Sequence, residues 1–167
     1  GVDPAPRESG ARAYAPGIER LPSAEKERVS EALLERLGGD PPDAGLRAEQ
    51  VRQLAGHGFE IGFHTRHHPV LTSLGDAELE RAMVEGREEL ARVVGRPLKT
   101  IAYPHGAADE RVAAAARAAG YAAGFTTAAE AIYERTKPLL IGRLYPTHDS
   151  ADRFALTLAR TLSRTFR

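Results

Sequence analysis

The sequence contains no cysteine. Disulfides, thiolate nucleophiles and Cys-based zinc sites are therefore excluded. It has no excess of charge either: 23 Lys and Arg stand against 23 Asp and Glu, for a formal net charge of zero. No global basic field exists to gather nucleic acid or an anionic membrane, so neither is expected as a partner. No apolar run approaches the length of a membrane span. Residues Gly1 to Gly17 are rich in Pro, Ala, Gly and charge and hold no apolar stretch, so no signal peptide is visible in this chain. There is no glycine-rich phosphate loop, no serine nucleophile elbow and no internal repeat. What remains is a chain of 167 residues, 42% apolar and 28% charged, which is the composition of a globular domain with a real core.

Four prolines, Pro4, Pro6, Pro16 and Pro22, break any period at the start. A helix follows, with Ser23 as N-cap and Val29, Leu33, Leu34 and Leu37 on one face. Gly38 and Gly39 stop it, and Asp40-Pro-Pro-Asp43 is a turn. A short helix covers about 47–55. Phe59, Ile61 and Phe63 alternate, which predicts a strand ending at His64. Ser73-Leu-Gly-Asp76 reads as a capping box opening one helix, whose Leu79, Met83, Leu90 and Val94 face a core and which closes at Gly95 and Pro97. Thr100 to Tyr103 is a second strand, leading into Pro104-His-Gly106. Asp109 caps an alanine-rich helix that stops at Gly120. Residues 121–126 and 140–145 are two further strands. Ser150 caps a last helix with Phe154, Leu158 and Leu162 inward, while Arg160, Arg164 and Arg167 form a solvated basic face. Strands alternate with helices, so the fold class is α/β with mostly parallel strands. The expected organisation is an irregular, insertion-like segment with one helix at 1–45, then an α/β domain at 46–167. Sites in such folds gather at the C-terminal ends of strands, where His64 and His105 both fall.

The most informative stretch is Gly62-Phe-His64-Thr65-Arg66-His67-His68-Pro69. His64 and His68 are four residues apart. If one helical turn follows the strand, both imidazoles lie on the same side. Two neutral imidazoles converging at a strand end make half a site for zinc or a similar divalent ion, which needs at least one more ligand. His67 is the rival partner for His64, and surface histidines on a loop are the plain alternative to a metal site. Thr65 can fix the loop by a hydrogen bond. His57 lies in a glycine turn and reads as solvated.

The run from Gly58 to Thr72 (Gly-Phe-Glu-Ile-Gly-Phe-His-Thr-Arg-His-His-Pro-Val-Leu-Thr) resembles the second motif of the NodB-type polysaccharide deacetylases, carbohydrate esterase family 4. Ile101-Ala-Tyr-Pro-His-Gly106 is similar to the third motif of one branch, Ala-Tyr-Pro-aromatic-Gly, with His105 in the aromatic position. Gly120 to Thr127 and Ile141-Gly-Arg-Leu resemble the later strands of that branch. The likeness covers about residues 46–160 and implies a partial or distorted (β/α) barrel. It implies metal-assisted hydrolysis of N-acetyl or O-acetyl groups on a polysaccharide, whose neutral sugars fit a chain of zero net charge.

Carried over residue by residue, the likeness makes His64 and His68 metal ligands, for zinc with cobalt or nickel as substitutes. The backbone N–H of His105 becomes the oxyanion donor, and Tyr103, Pro104 and Thr65 become substrate contacts. His148, beside Asp149, is a candidate general acid, against the reading of a solvated loop histidine. Arg143 is a candidate for orienting the base, against an ordinary ion pair. The likeness also suggests a cell-envelope or secreted location.

One departure is plain. The family's Thr-Phe-Asp-Asp-Gly motif, which supplies the base and a third ligand, has no counterpart, and no Asp-Asp pair occurs in the sequence. The expectation is that the strands carrying it lie upstream or are lost. The chain is then an incomplete catalytic domain, with an open sheet edge that a second copy could cover in a homo-oligomer. The alternative is a catalytically inactive carbohydrate- or metal-binding module derived from the family.

Overall fold

The computed structural model describes residues 21–39, 45–145 and 150–165. The chain divides into two compact units, residues 1–46 and 47–167. In the first, helix α1 runs Ser23–Leu37. It begins on Pro22, whose carbonyl accepts from Lys26 N–H at 3.0 Å, so Ser23 is the first helical residue and not the cap. Gly38 ends it as the sequence indicates, with Gly39 N–H closing on Leu34 O at 2.8 Å.

The second unit carries helices α2 (Ala48–Gly56), α3 (Asp76–Val84), α4 (Arg87–Val94), α5 (Glu110–Ala118) and α6 (Ala151–Thr165). Two strands, β1 (Thr100–Ala102) and β2 (Ala123–Phe125), pair in parallel, with Ile101 opposite Gly124. Phe63 extends this ladder by a parallel bridge to Ile101, and Ile141 extends it by a parallel bridge to Phe125. All four expected strands therefore meet in parallel, the outer two as single bridges. The expected first strand is cut to the single residue Phe63. Phe63 N–H donates to Thr100 O and Ala102 N–H to Phe63 O, both at 2.9 Å, but Phe59 N–H donates to Leu54 O at the end of α2 instead. The helix terminus captures the start of the segment, and Phe59 is 59% exposed where alternation predicts it inward.

The core gathers Phe63, Leu71, Leu79, Met83, Leu98, Ile101, Tyr103, Val112, Ala116, Tyr121 and Leu139. Asp109 caps α5 as expected, accepting from Val112 N–H at 2.8 Å. Its Val112, Ala113 and Ala116 are buried: small side chains let the helix lie close to its neighbours. Ser150 caps α6 through Arg153 N–H at 3.2 Å, yet Leu158 and Leu162 stay 36% and 43% exposed, so the predicted inward stripe is only partly covered.

The single helix expected over 76–94 is two. Its first turn is capped by Gly75, whose N–H donates to Glu78 at 3.3 Å, while Ser73 sits in a preceding 3-10 turn, Leu71–Ser73. The break falls at Glu85 and Gly86. Gly86 is left-handed at φ 81°, and the stem of Arg66 lies 3.7–3.8 Å from where a Cβ would stand. Only glycine takes that conformation at no steric cost. The apolar spacing runs on through the break because α4 turns Leu90 and Val94 back to the same core.

Candidate functional site

The histidine loop is built outward from the core. Phe63 is buried beside β1, to which it bridges, and Pro69 and Leu71 are buried after the loop, so both ends are anchored and the residues between are exposed or half-buried. No helical turn forms between them. The chain turns instead by two left-handed residues, Thr65 at φ 62° and His68 at φ 50°. A β-branched residue at positive φ is a genuine outlier. The hydroxyl of Thr65 accepts from His68 N–H at 3.1 Å, which ties the two kinks together. The third non-glycine residue with positive φ is His105, at 56°. Among the described residues, all of the non-glycine backbone strain thus lies at this one place, and such strain persists only where the surroundings hold it.

The three imidazoles meet there. The rings of His64 and His68 are 4.9 Å apart, centroid to centroid, at 72°. Those of His68 and His105 are 4.4 Å apart at 68°. His64 Nδ1 lies 2.7 Å from the carbonyl of Ala102. A carbonyl only accepts, so Nδ1 carries the hydrogen and the neutral ring keeps its lone pair on Nε2. The strand that supports the site therefore also fixes the tautomer. His67, the rival, is drawn off: its Nε2–H donates to Glu85 at 3.1 Å, and Glu85 is available because α3 ends there. These observations fit two imidazole positions on a divalent ion. As the side chains stand, no three His, Cys, Asp or Glu among the described residues are grouped to hold one.

The second loop is a 3-10 turn, Pro104–Gly106, directly after β1. It is closed by Gly106 N–H on Tyr103 O and Ala107 N–H on Pro104 O, at 2.9 and 3.1 Å, which leaves the amide of His105 outside both bonds. Tyr103 and Pro104 correct the sequence reading. Tyr103 is 0% exposed and Pro104 is fully buried, so neither side chain can line a groove. The Tyr103 hydroxyl donates to Leu139 O at 2.8 Å, beneath Gly124, where a Cβ would stand 2.7 Å from the phenol ring. Their part is to support the turn from below.

Burial pushes the Tyr103 phenol up to about 12. Tyr121 is also raised, by burial first, against the lowering effect of Arg87. Both phenols are protonated in the fold, whereas an unfolded tyrosine ionises near 10. The stabilisation is complete below pH 10 and is lost as pH rises toward 12, by up to roughly 1.4 kcal/mol per pH unit for each group. Urea unfolding between pH 9 and 11.5 should show this slope, about halved in Tyr103→Phe. An unchanged slope would mean that Tyr103 ionises freely in the folded protein.

Arg143 donates through Nε to Thr126 O at 2.8 Å and its guanidinium lies 5.6 Å from the ring of Tyr145. Neither contact is the ion pair weighed for it. His148 and Asp149 lie outside the described residues. A cleft of about 940 Å³ opens beside the site, lined by Arg66, Gly86, Arg92, Arg96 and Leu98 among others, but it contains none of the three histidines. Sequence reasoning assigned His105 by its amide alone and missed its ring. The one available signal was a histidine where the resembling motif carries an aromatic.

Known proteins resemble this chain in sequence and in fold. The polysaccharide deacetylase family model matches residues 24–124. The polysaccharide deacetylase homologue YxkH of Bacillus subtilis (strain 168) is 30% identical over 82 residues, 49% of this chain and 29% of its own length. The deacetylase PplD of Streptococcus pyogenes, solved in complex with acetate, superposes with a TM-score of 0.63 at 21% identity, over 71% of this chain and 51% of its own. BA0330 of Bacillus anthracis, a homologue of the same family, gives 0.60 at 24%, over 69% and 38%. The likenesses to solved structures bear on the fold, which is the α/β fold of deacetylases. The chain spans between a third and a half of the structures it matches and less of the curated relative. Among the described residues, no helix is long and apolar enough to cross a membrane. With its family model matched over more than half of its length, this chain belongs to the polysaccharide deacetylase family.

Proposed function

We propose that this chain supplies the histidine half of a metal-dependent site that removes N-acetyl, or O-acetyl, groups from a polysaccharide. The observation that carries the reading is the pair of rings of His64 and His68, 4.9 Å apart at the end of a parallel strand, with the His64 tautomer set by Ala102. Neutral imidazole suits zinc, cobalt or nickel. A divalent ion held by the pair would polarise an acetyl carbonyl as a Lewis acid.

The rest falls to the chain's own groups. Thr65 holds His68 in its kink, and Glu85 keeps His67 turned away. The amide of His105, left outside the two bonds that close its turn, would donate to the carbonyl oxygen as that oxygen becomes anionic. One such donor is worth about 3–4 kcal/mol in comparable hydrolases. The parallel bridges at Phe63 and Ile141 suit a partial (β/α) barrel, which we take as the form of the domain.

The sequence holds no Asp-Asp pair to serve as base and further ligand. Acetate release from acetylated chito-oligosaccharide in the presence of zinc should therefore be weak or absent for this chain. Any activity present should vanish in His64→Ala. Vigorous turnover would overturn the reading of an incomplete site, and turnover indifferent to His64→Ala would overturn the site itself. The same missing pair favours a second reading, a binding module without catalysis. Its result is glycan and zinc binding with no acetate released.

A further inference from the structure

We propose that the imidazole side chain of His105 is a third metal-binding group, joining His64 and His68 on one ion. This rests on the metal site proposed above and extends it. Two imidazoles bound to one ion through nitrogens at about 2.0–2.1 Å hold their centroids roughly 4.5–5.2 Å apart, for angles between octahedral and tetrahedral. The observed separations are 4.9 Å for His64 and His68 and 4.4 Å for His68 and His105. The first falls inside that range and the second 0.1 Å below it, so His68 stands at about ligation spacing from each of the other two.

The orientation is what differs. The rings pack edge to face, and as they stand no three such side chains among the described residues are grouped to hold an ion. His64 is tethered through Nδ1. The backbone of His68 is pinned by Thr65. His105 is exposed, so its ring can turn about its two side-chain bonds at the modest cost of a rotamer change, about 1 kcal/mol. Its backbone does not have to move. At a left-handed φ of 56° its ring already meets that of His68, and Gly106 beside it packs closely against Thr127. Histidine is among the residues that tolerate such a φ, and glycine takes it at lower cost.

The test is zinc affinity, measured by competition with a chromophoric chelator, together with the visible spectrum of the cobalt-loaded protein. Wild type is compared with His105→Phe, which keeps a ring and loses its nitrogens, and with His105→Asn, which is at home at positive φ. His64→Ala is the reference for the site as a whole. We expect both His105 variants to bind zinc at least tenfold more weakly than wild type. We also expect their cobalt ligand-field bands to change in position and intensity, because the donor set changes. If His105→Phe and His105→Asn bind as tightly as wild type with the same cobalt spectrum, while His64→Ala loses binding, the third ligand is refuted and the two-histidine site stands. If wild type and His64→Ala bind zinc equally, or neither binds, both readings fall.

Discussion

Zinc or cobalt should raise the melting temperature of the wild-type protein, and His64→Ala or His68→Ala should abolish the rise. A ligand that binds only the folded state at a hundred times its dissociation constant adds about 2.7 kcal/mol of stability. For a chain of this size that is roughly 5–10 °C. The substitutions are clean tests because the side chains are not part of the core. His64 is exposed, and without metal its removal forfeits one hydrogen bond to Ala102, at most about 1 kcal/mol. The apo melting temperature should barely change, while the metal response disappears. His67→Ala supplies the internal control, since that ring is engaged with Glu85. It should leave the metal response intact. An equal response in wild type and in the His64 and His68 variants would remove the metal site, and with it the proposed chemistry.

Gly106→Ala is expected to be the most damaging single methyl group that can be added to this protein's site. A Cβ there would stand 2.5 Å from the Cβ of Thr127 and nearer still to its outer atoms, on a backbone at φ 67°. Left-handed conformation costs an alanine about 1–2 kcal/mol and overpacking about 1–3. Together the loss should be roughly 2–5 kcal/mol. Gly95→Ala separates the two costs. Gly95 is at φ 79° with nothing within 4 Å of its Cβ position, so it should lose only the conformational part. Equal losses in the two variants would mean that Thr127 yields without cost. A larger loss at Gly106, accompanied by weakened zinc binding, would show that the turn carrying His105 depends on this close approach.

Much of the fold is legible from local signals. Asp109 and Ser150 cap the helices predicted for them, and the stretches expected to be strands all join one parallel ladder. Caps and alternation are local facts, and local facts survive folding. The misreadings share a cause. Phe59 alternates with Ile61 and Phe63, yet the end of α2 takes its amide and leaves its ring in water. Apolar spacing from Leu79 to Val94 reads as one helix, because a glycine within the pattern does not say whether the helix breaks. The stripe on α6 is apolar, but periodicity reports which face could be buried, not whether anything covers it. The motif position of Tyr103 and Pro104 implies substrate contact, yet both are buried, because a motif does not carry depth.

The sequence by itself determined the family, the order of strands and helices, and the delivery of His64 and His105 to the ends of adjacent strands, since each follows from spacing along the chain. Only the tertiary structure decided how those side chains meet. His64 is oriented by a carbonyl 38 residues away, His67 is removed by a carboxylate 18 residues away, and His105 is brought within 4.4 Å of His68 by two kinks that are unfavourable in isolation. Left-handed backbone at threonine and histidine costs energy locally, so no local signal can announce it; the packing of distant residues has to impose it.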